Sequence, residues 1–135
     1  MPRQSNTFIL AILWFLTCAN VLGQSSWTKH PAAVLPHSAV FPDWNGIASA
    51  DAFVMQDNDS LKMWFAGSGW TSEMDTIAHV RIGYAWSTDG INWEQHPTNP
   101  VVDIGLAPID FDSDGVETPS VIKDLDAPPA ERYKM

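Results

Sequence analysis

An internal repeat is the feature that most constrains the fold of this chain. The phrase Trp-x-x-His-Pro occurs at residues 27–31 and again at 93–97, which is an offset of 66 positions. Residues 42–57 then align with 109–124 at an offset of 67. The aligned pairs are Asp43 with Asp110, Trp44 with Phe111, Val54 with Val121, and Asp57 with Asp124. Such a repeat predicts tandem copies of one supersecondary unit, stacked to bury their apolar faces.

Each unit is predicted to contain four short antiparallel strands. The first copy offers four segments rich in β-formers, at residues 51–57, 61–69, 79–87 and 91–96. Asn58-Asp59 and Asp89-Gly90 are typical of the tight turns between such strands. No helical period appears after the first 23 residues. The predicted fold class is therefore all-β, a β-propeller of four-stranded antiparallel blades, with blade one at about 27–93 and blade two at about 94–135.

The number of units predicts that this sequence is part of a larger fold. Closed propellers have about four to eight blades, whereas 135 residues accommodate fewer than two of these units. We therefore expect the sequence to be the N-terminal part of a longer propeller domain. A short protein that dimerises, or one that folds as an open sheet, is the alternative.

The first 23 residues are typical of a secretory signal peptide. Arg3 precedes an apolar run at residues 8–16, and Val21 and Gly23 stand at the spacing of a signal peptidase site. The run is shorter than the roughly 20 residues that span a bilayer. The alternatives are an N-terminal membrane anchor and a lipid-modified Cys18. The leader predicts a secreted or periplasmic protein that has no membrane contact after its removal.

Composition narrows the class of partner. Residues 24–135 contain no cysteine, which excludes a disulfide framework there. They carry sixteen acidic side chains and six basic ones, so a nucleic-acid partner is not expected. The chain has seven Trp, six Phe and two Tyr. In an exported acidic protein such rings favour a carbohydrate partner, although most of them are expected in the core. The oligomeric state is left open.

Three segments resemble a known group of enzymes. They are "KMWFAGSG", "RIGYAWSTDGINWEQHPTNPVV" and "GVETPSVIKD" followed by "YKM". Their residues and order resemble the five-bladed propeller glycosidases of glycoside hydrolase families 43, 32 and 130. The likeness covers residues 27–135 and does not select one family or substrate. It implies five blades and an exported glycoside hydrolase of poly- or oligosaccharides. The hairpin "STDGINW" is also similar to the structural Asp-box of sialidases.

The resemblance also implies catalytic carboxylates at the starts of the first strands of successive blades. Glycoside hydrolysis uses one carboxylic acid to protonate the leaving oxygen and a second carboxylate to activate water or attack the sugar. Asp51 resembles the general base position, although Ala52 replaces the usual proline. Glu117 resembles the segment with the general acid, which normally belongs to a third blade. Asp110 is a candidate supporting carboxylate. Turn or edge charges are the alternative for all three.

Two other functions and one metal site remain open from the sequence. A non-catalytic propeller that binds glycan or protein would not need these carboxylates, and a glycoside phosphorylase would use phosphate instead of water. The segment 110–115 has Asp at the first, third and fifth positions of a calcium loop. Val121 replaces the glutamate of the twelfth position, which excludes a complete EF-hand. No cofactor is expected, and a looser structural calcium site at Asp110, Asp112 and Asp114 stays an alternative.

Overall fold

In the computed structural model, the described residues are 28–70, 72–74 and 76–135. The predicted signal peptide and Trp27 lie outside these ranges. All the strands described below belong to one compact unit, Ala32–Met135.

The first repeat forms a four-stranded antiparallel sheet. Its strands are β1 (Ala48–Asp57), β2 (Ser60–Gly69), β3 (His79–Ser87) and β4 (Glu94–Gln95), in the spatial order β1-β2-β3-β4. Each strand pairs with the next one along the chain. The all-β prediction and the four antiparallel strands of the first repeat are therefore confirmed. In the described part of the chain, the sheet is open and does not close on itself.

The Asp89 turn between β3 and β4 is held by its own side chains. Asp89 Oδ1 accepts hydrogen bonds from the backbone N–H groups of Ile91 and Asn92, at 2.8 and 2.7 Å. Gly90 has φ = +74°, which glycine adopts without steric cost. These bonds, together with those from the Asn92 and Ser87 side chains, hold the pKa of the Asp89 carboxyl well below its usual range. The Asp-Gly pair thus makes the predicted turn.

The second repeat forms a smaller sheet with the same pairing. Strands β5 (Ile122–Lys123) and β6 (Tyr133–Lys134) are antiparallel, and a 3₁₀ turn at Pro129–Glu131 lies between them. Ile122 pairs with Lys134, as Met55 pairs with Lys62 in the first sheet. The lysines also align in sequence, in Leu61-Lys62-Met63 and Tyr133-Lys134-Met135. Thus residues aligned in sequence also occupy the same position in their strand pair.

The core has two parts, one on each face of the first sheet. On one face Trp64, Ala66 and Ile82 are buried together with Val121 of the second repeat. On the other face Met63, Phe65 and Ala85 form the buried cluster, against which half-buried Leu35, Trp44 and Trp93 pack. Burial on both faces explains why β2 is an almost continuous apolar run. Because Val121 belongs to the first cluster, the two repeats share a core.

Glycines in β2 and β3 make room for Trp44. A Cβ atom at Gly67 would lie 2.2 Å from Trp44 Cζ3, and one at Gly83 would lie 2.5 Å from Trp44 Cη2. The indole therefore lies directly against the backbone of the sheet. Phe111, its aligned partner, is fully exposed in the described structure. Trp44 and Phe111 therefore align in sequence but differ in burial.

Among the described residues, none forms a helix of the length and apolar character that crossing a bilayer requires.

Candidate functional site

Asp51 lies at an irregularity near the start of β1. The β1–β2 register shifts between Ala50 and Phe53, so Asp51 and Ala52 form a bulge opposite β2. Asp51 has φ = +48°, in the left-handed region that few residues other than glycine adopt. Bulges and left-handed residues are concentrated near functional sites, where they redirect a side chain. The predicted catalytic base is exposed at this position.

The second repeat has the same backbone feature beside Glu117. Thr118, the residue aligned with Asp51, has φ = +54°. A β-branched residue such as threonine rarely has a positive φ. The matching φ values of Asp51 and Thr118 are therefore not explained by the preferences of the two residue types. Glu117 itself is exposed and precedes Thr118. The predicted catalytic acid is therefore one residue before the position that corresponds to Asp51.

The two carboxylates lie at the same end of the sheet. At this end of the sheet Ala48 pairs with Ser68, and Ser68 pairs with Val80. Val80 in turn forms a parallel bridge with Gly115, two residues before Glu117. The Val116 N–H donates to the Val80 carbonyl at 2.9 Å, which anchors this segment to β3.

The same two carboxylates line separate cavities. Asp51 lines a mostly apolar cavity of about 230 Å³ that also contains Leu35 and Phe65. Glu117 lines a second cavity of about 230 Å³ beside Val80 and Asp114. The two cavities share no lining residue. The structure thus brings Asp51 and Glu117 to one end of the sheet and does not join them in one pocket.

Asp110 lies in an exposed loop away from both cavities. Its Oδ2 accepts a hydrogen bond from the Ala107 N–H at 2.9 Å, and its backbone N–H donates to the Ala107 carbonyl at the same distance. These bonds indicate a turn carboxylate. Across residues 28–70, 72–74 and 76–135, no three His, Cys, Asp or Glu side chains are grouped to hold a metal ion. The loose calcium site of Asp110, Asp112 and Asp114 therefore has no structural support.

A second charged centre was not predicted from the sequence. Asp57, only 7% exposed, accepts hydrogen bonds from Lys62, Lys123 and Tyr133, which we name together the Asp57 cluster. Lys62 Nζ lies 2.7 Å from Asp57 Oδ2. Lys62 belongs to β2, whereas Lys123 and Tyr133 belong to the second sheet, so the cluster joins the two repeats. The alignment of Asp57 with Asp124 was visible in the sequence, but the convergence of two lysines on one of them was not.

The charges in the Asp57 cluster stabilise one another. Hydrogen bonds from Lys123, Lys62 and Tyr133 hold the pKa of Asp57 well below its usual range. Partial burial opposes the charged form of Lys62, but the bonds to Asp57 and Tyr133 outweigh it and raise the Lys62 pKa. Lys62 Nζ also lies 4.2 Å from the centre of the Tyr133 ring. Since every donor has a partner, this arrangement is typical of a structural ion cluster.

The second repeat contains a smaller counterpart of this cluster. Lys134 Nζ lies 2.5 Å from Asp124 Oδ2, and the corresponding distance from Lys62 to Asp57 is 2.7 Å. The bond from Lys134 and the one from the Asp126 N–H lower the pKa of Asp124. The aligned Asp–Lys pairs therefore make the same contact in both repeats.

Arg81 is a third polar group that sequence patterns did not reveal. It interrupts the apolar strand β3 and is only 1% exposed. Its Nε donates to Asp103 Oδ1 at 2.7 Å. An arginine within a run of apolar β-formers is the one sequence signal that could have drawn attention to it.

Comparisons with known proteins give two relatives without a described function. No protein-family model and no solved structure matches the chain. Two proteins of Mycobacterium tuberculosis are similar to it: the uncharacterized protein MT1551 of strain CDC 1551 / Oshkosh and the uncharacterized protein Rv1502 of strain ATCC 25618 / H37Rv. Each is 34% identical over 74 residues, which are 51% of this chain and 21% of the relative. The chain thus spans about a fifth of the length of the curated relatives it matches.

Proposed function

We propose that this chain is part of an exported β-propeller glycosidase in which Asp51 provides the base and Glu117 the acid. The observation that carries the proposal is the shared backbone feature of the two repeats. Asp51 and Thr118 both have positive φ at aligned positions, and Glu117 is adjacent to Thr118. In each repeat a carboxylate therefore lies at, or directly before, a residue with the same left-handed backbone conformation.

The sheet topology supports the propeller part of the proposal. Four antiparallel strands that follow one another in order are the arrangement of a propeller blade. The second repeat begins the same arrangement, with identical pairing where β5 and β6 meet. Its segment also covers one face of the first sheet through Val121, as a neighbouring blade does.

The length of the repeat also supports the propeller part of the proposal. The similarity to the relatives covers 74 residues and 21% of their length. The repeat offset in this chain is 66 to 67 residues. The matched segment is therefore about the length of one unit, and five such units would account for the length of the relatives. By analogy, fully exposed Phe111 would pack on later strands of its own unit, as Trp44 packs on Gly67 and Gly83 within the first unit.

Acid and base chemistry requires the carboxylates to act across a sugar. Both Asp51 and Glu117 are exposed and lie at one end of the sheet, where the first strands of a propeller converge on its axis. A pair separated by about 6.5–9.5 Å would give inversion, and a pair about 5–5.5 Å apart would give retention.

The test is substitution of each carboxylate by its amide in the full-length protein. For Asp51→Asn and Glu117→Gln we expect release of reducing sugar from polysaccharide to fall by about 10²- to 10⁴-fold. The circular dichroism spectrum and thermal midpoint should be retained, since both side chains are exposed. Glu94→Gln in β4, which pairs with the other end of β3, is the matched control and should keep full activity. Near-normal turnover in either amide variant would remove that residue from the mechanism.

One observation favours a second function. Asp51 and Glu117 line different cavities, and that of Asp51 is mostly apolar. A propeller that binds glycan without cleaving it would need no shared pocket. Saccharide binding by the unmodified protein without any release of reducing sugar would support this second function and contradict the first.

A further inference from the structure

A cavity near the start of β3 combines two tryptophans with an ion pair between buried Arg81 and exposed Asp103. Its volume is about 280 Å³. The lining residues are Pro42, Trp44, Trp70, Arg81, Asn99, Pro100 and Asp103. None of them lines the cavities of Asp51 or Glu117. We name it the Arg81 cavity.

Arg81 has an unmet hydrogen-bonding demand in this cavity. Its Nε donates to Asp103, and its Nη1 approaches the Gly69 carbonyl at 3.5 Å, the outer limit of a hydrogen bond. Its Nη2 is buried and has no hydrogen-bond partner among the described residues. A buried donor of a charged group that lacks an acceptor is destabilising, so such groups are rare without a functional reason.

Asp103 has complementary acceptor capacity. Its Oδ1 accepts from Arg81 Nε and from the Ile104 N–H, at 2.7 and 2.8 Å. A carboxylate has about four acceptor positions, and the Asp103 side chain is 58% exposed. The cavity therefore presents a free donor on Arg81 and free acceptor capacity on Asp103, side by side.

We propose that the Arg81 cavity binds one neutral sugar residue through two adjacent hydroxyl groups. One hydroxyl oxygen accepts a hydrogen bond from Arg81 Nη2, and its neighbour donates to Asp103. The apolar face of the sugar ring packs on the Trp44 or Trp70 indole, and the volume suits a single ring. Neutral sugars are favoured over acidic ones, because Asp103 and the formal net charge of −9 repel a second carboxylate. The inference deepens the proposed function by adding a glycan-binding subsite apart from the candidate acid and base.

Ligand access requires a small movement of the cavity wall. Because Nη2 is closed to solvent, a hydroxyl reaches it only after a lining side chain moves aside. Trp70 is only half-buried and packs edge-on against Phe41, with the ring centres 4.9 Å apart. Phe41 is itself 53% exposed. This surface pair is the part of the wall that can move, so binding should change the environment of the Trp70 indole.

The test is a titration of the ¹⁵N-labelled protein with saccharides, followed by the indole N–H signals in NMR spectra. The neutral probes are cellotriose, xylotriose and arabinotriose, and trigalacturonic acid is the acidic probe. We expect at least one neutral probe to shift the Trp70 signal. Trp70→Ala, followed by the Trp44 indole signal, and Asp103→Asn, followed by the Trp70 signal, should each raise the dissociation constant of that probe at least tenfold. Phe111→Ala, an exposed aromatic residue elsewhere, is the control and should bind normally.

Each outcome is decisive and separable from the hydrolase proposal. If no neutral probe shifts the Trp70 indole signal, the subsite proposal is wrong, and no variant is needed to show this. Unchanged affinity in both variants, or tighter binding of trigalacturonic acid, also overturns it. Binding should persist in Asp51→Asn and Glu117→Gln. Absence of hydrolysis by the unmodified protein, with saccharide binding retained, would therefore count against the acid and base proposal alone.

Discussion

Asp57 is the residue at which the two sheets meet through charged groups. Its carboxylate contacts Lys62 from its own sheet, and Lys123 and Tyr133 from the second one. These bonds hold its pKa below that of an unfolded aspartate, which is about 3.9. A carboxyl with a depressed pKa in the folded state stabilises the fold above the unfolded pKa. That stabilisation is lost as the pH falls below about 4.

The first prediction concerns this pH dependence. We expect Asp57→Asn to be less stable than the unmodified protein at pH 7, because two lysines then lose their counter-ion. The difference in unfolding free energy between the two proteins should be constant between pH 5 and 7. It should shrink as the pH falls below about 4, because Asp57 is then protonated in the unfolded state of the unmodified protein. Urea midpoints measured from pH 7 to pH 2.5 provide the test.

A control for this prediction lies two residues away. Asp59 is exposed in the turn between β1 and β2, so Asp59→Asn should leave the urea midpoint within error at each pH. Equal stability of Asp57→Asn and the unmodified protein across the whole range would show that the Asp57 cluster contributes nothing to folding.

Single residues were also where prediction from the sequence was weakest. Asp51 and Glu117 were both expected at strand starts; Asp51 lies near the start of β1, whereas Glu117 lies five residues before β5. The burial of Asp57 and Arg81 was not predicted, because it depends on side chains that arrive from distant parts of the chain. Lys123 is 66 positions from Asp57, and no local pattern reports such a contact.

At the scale of the strand, the sheet depends on close contact between a loop tryptophan and the backbone. Trp44 lies against Gly67 in β2 and Gly83 in β3. Glycine weakens a strand interior in general, so two glycines at diagonal positions of neighbouring strands indicate a packed aromatic ring. The strands and turns themselves were well predicted, since alternation and turn residues are local signals. The role of Trp44 depends on tertiary packing and could not be predicted.

The second prediction tests this contact. In Gly83→Ala the new Cβ would lie 2.5 Å from Trp44 Cη2 and 2.6 Å from Phe65 Cζ, both in rings held by the core. We expect the variant to lose about 1–3 kcal/mol of unfolding free energy by overpacking. Gly115→Ala is the matched control, because its nearest neighbour would be the Val80 carbonyl oxygen at an ordinary 3.4 Å. Chemical denaturation of the pair gives the comparison, and equal stabilities would show that the Trp44 contact is loose.

At the scale of the whole described structure, the two repeats share one core and one ion cluster. Val121 of the second repeat is 4% exposed and is buried with Trp64, Ala66 and Ile82 of the first. The repeat was predicted from the sequence because its aligned residues recur in order. The small amount of strand in the second copy was not predicted, since only β5 and β6 form strands there. A shared core implies that neither repeat unfolds without the other.

The last prediction follows from that shared core. Val121→Ala removes two methyl groups from the packing around Trp64, so we expect the unfolding free energy to fall by about 2 kcal/mol. Ile122→Ala, at the next position and 65% exposed, should change it by less than about 0.5 kcal/mol. Unfolding should be followed in parallel by tryptophan fluorescence and by far-ultraviolet circular dichroism. Coincident transitions that shift together in Val121→Ala would show one cooperative unit, since Trp64 belongs to the first sheet and the substitution to the second repeat. Separate transitions, or a fluorescence transition unmoved by Val121→Ala, would mean that the first sheet is stable without its neighbour. Stacking between the repeats would then not be what stabilises the fold.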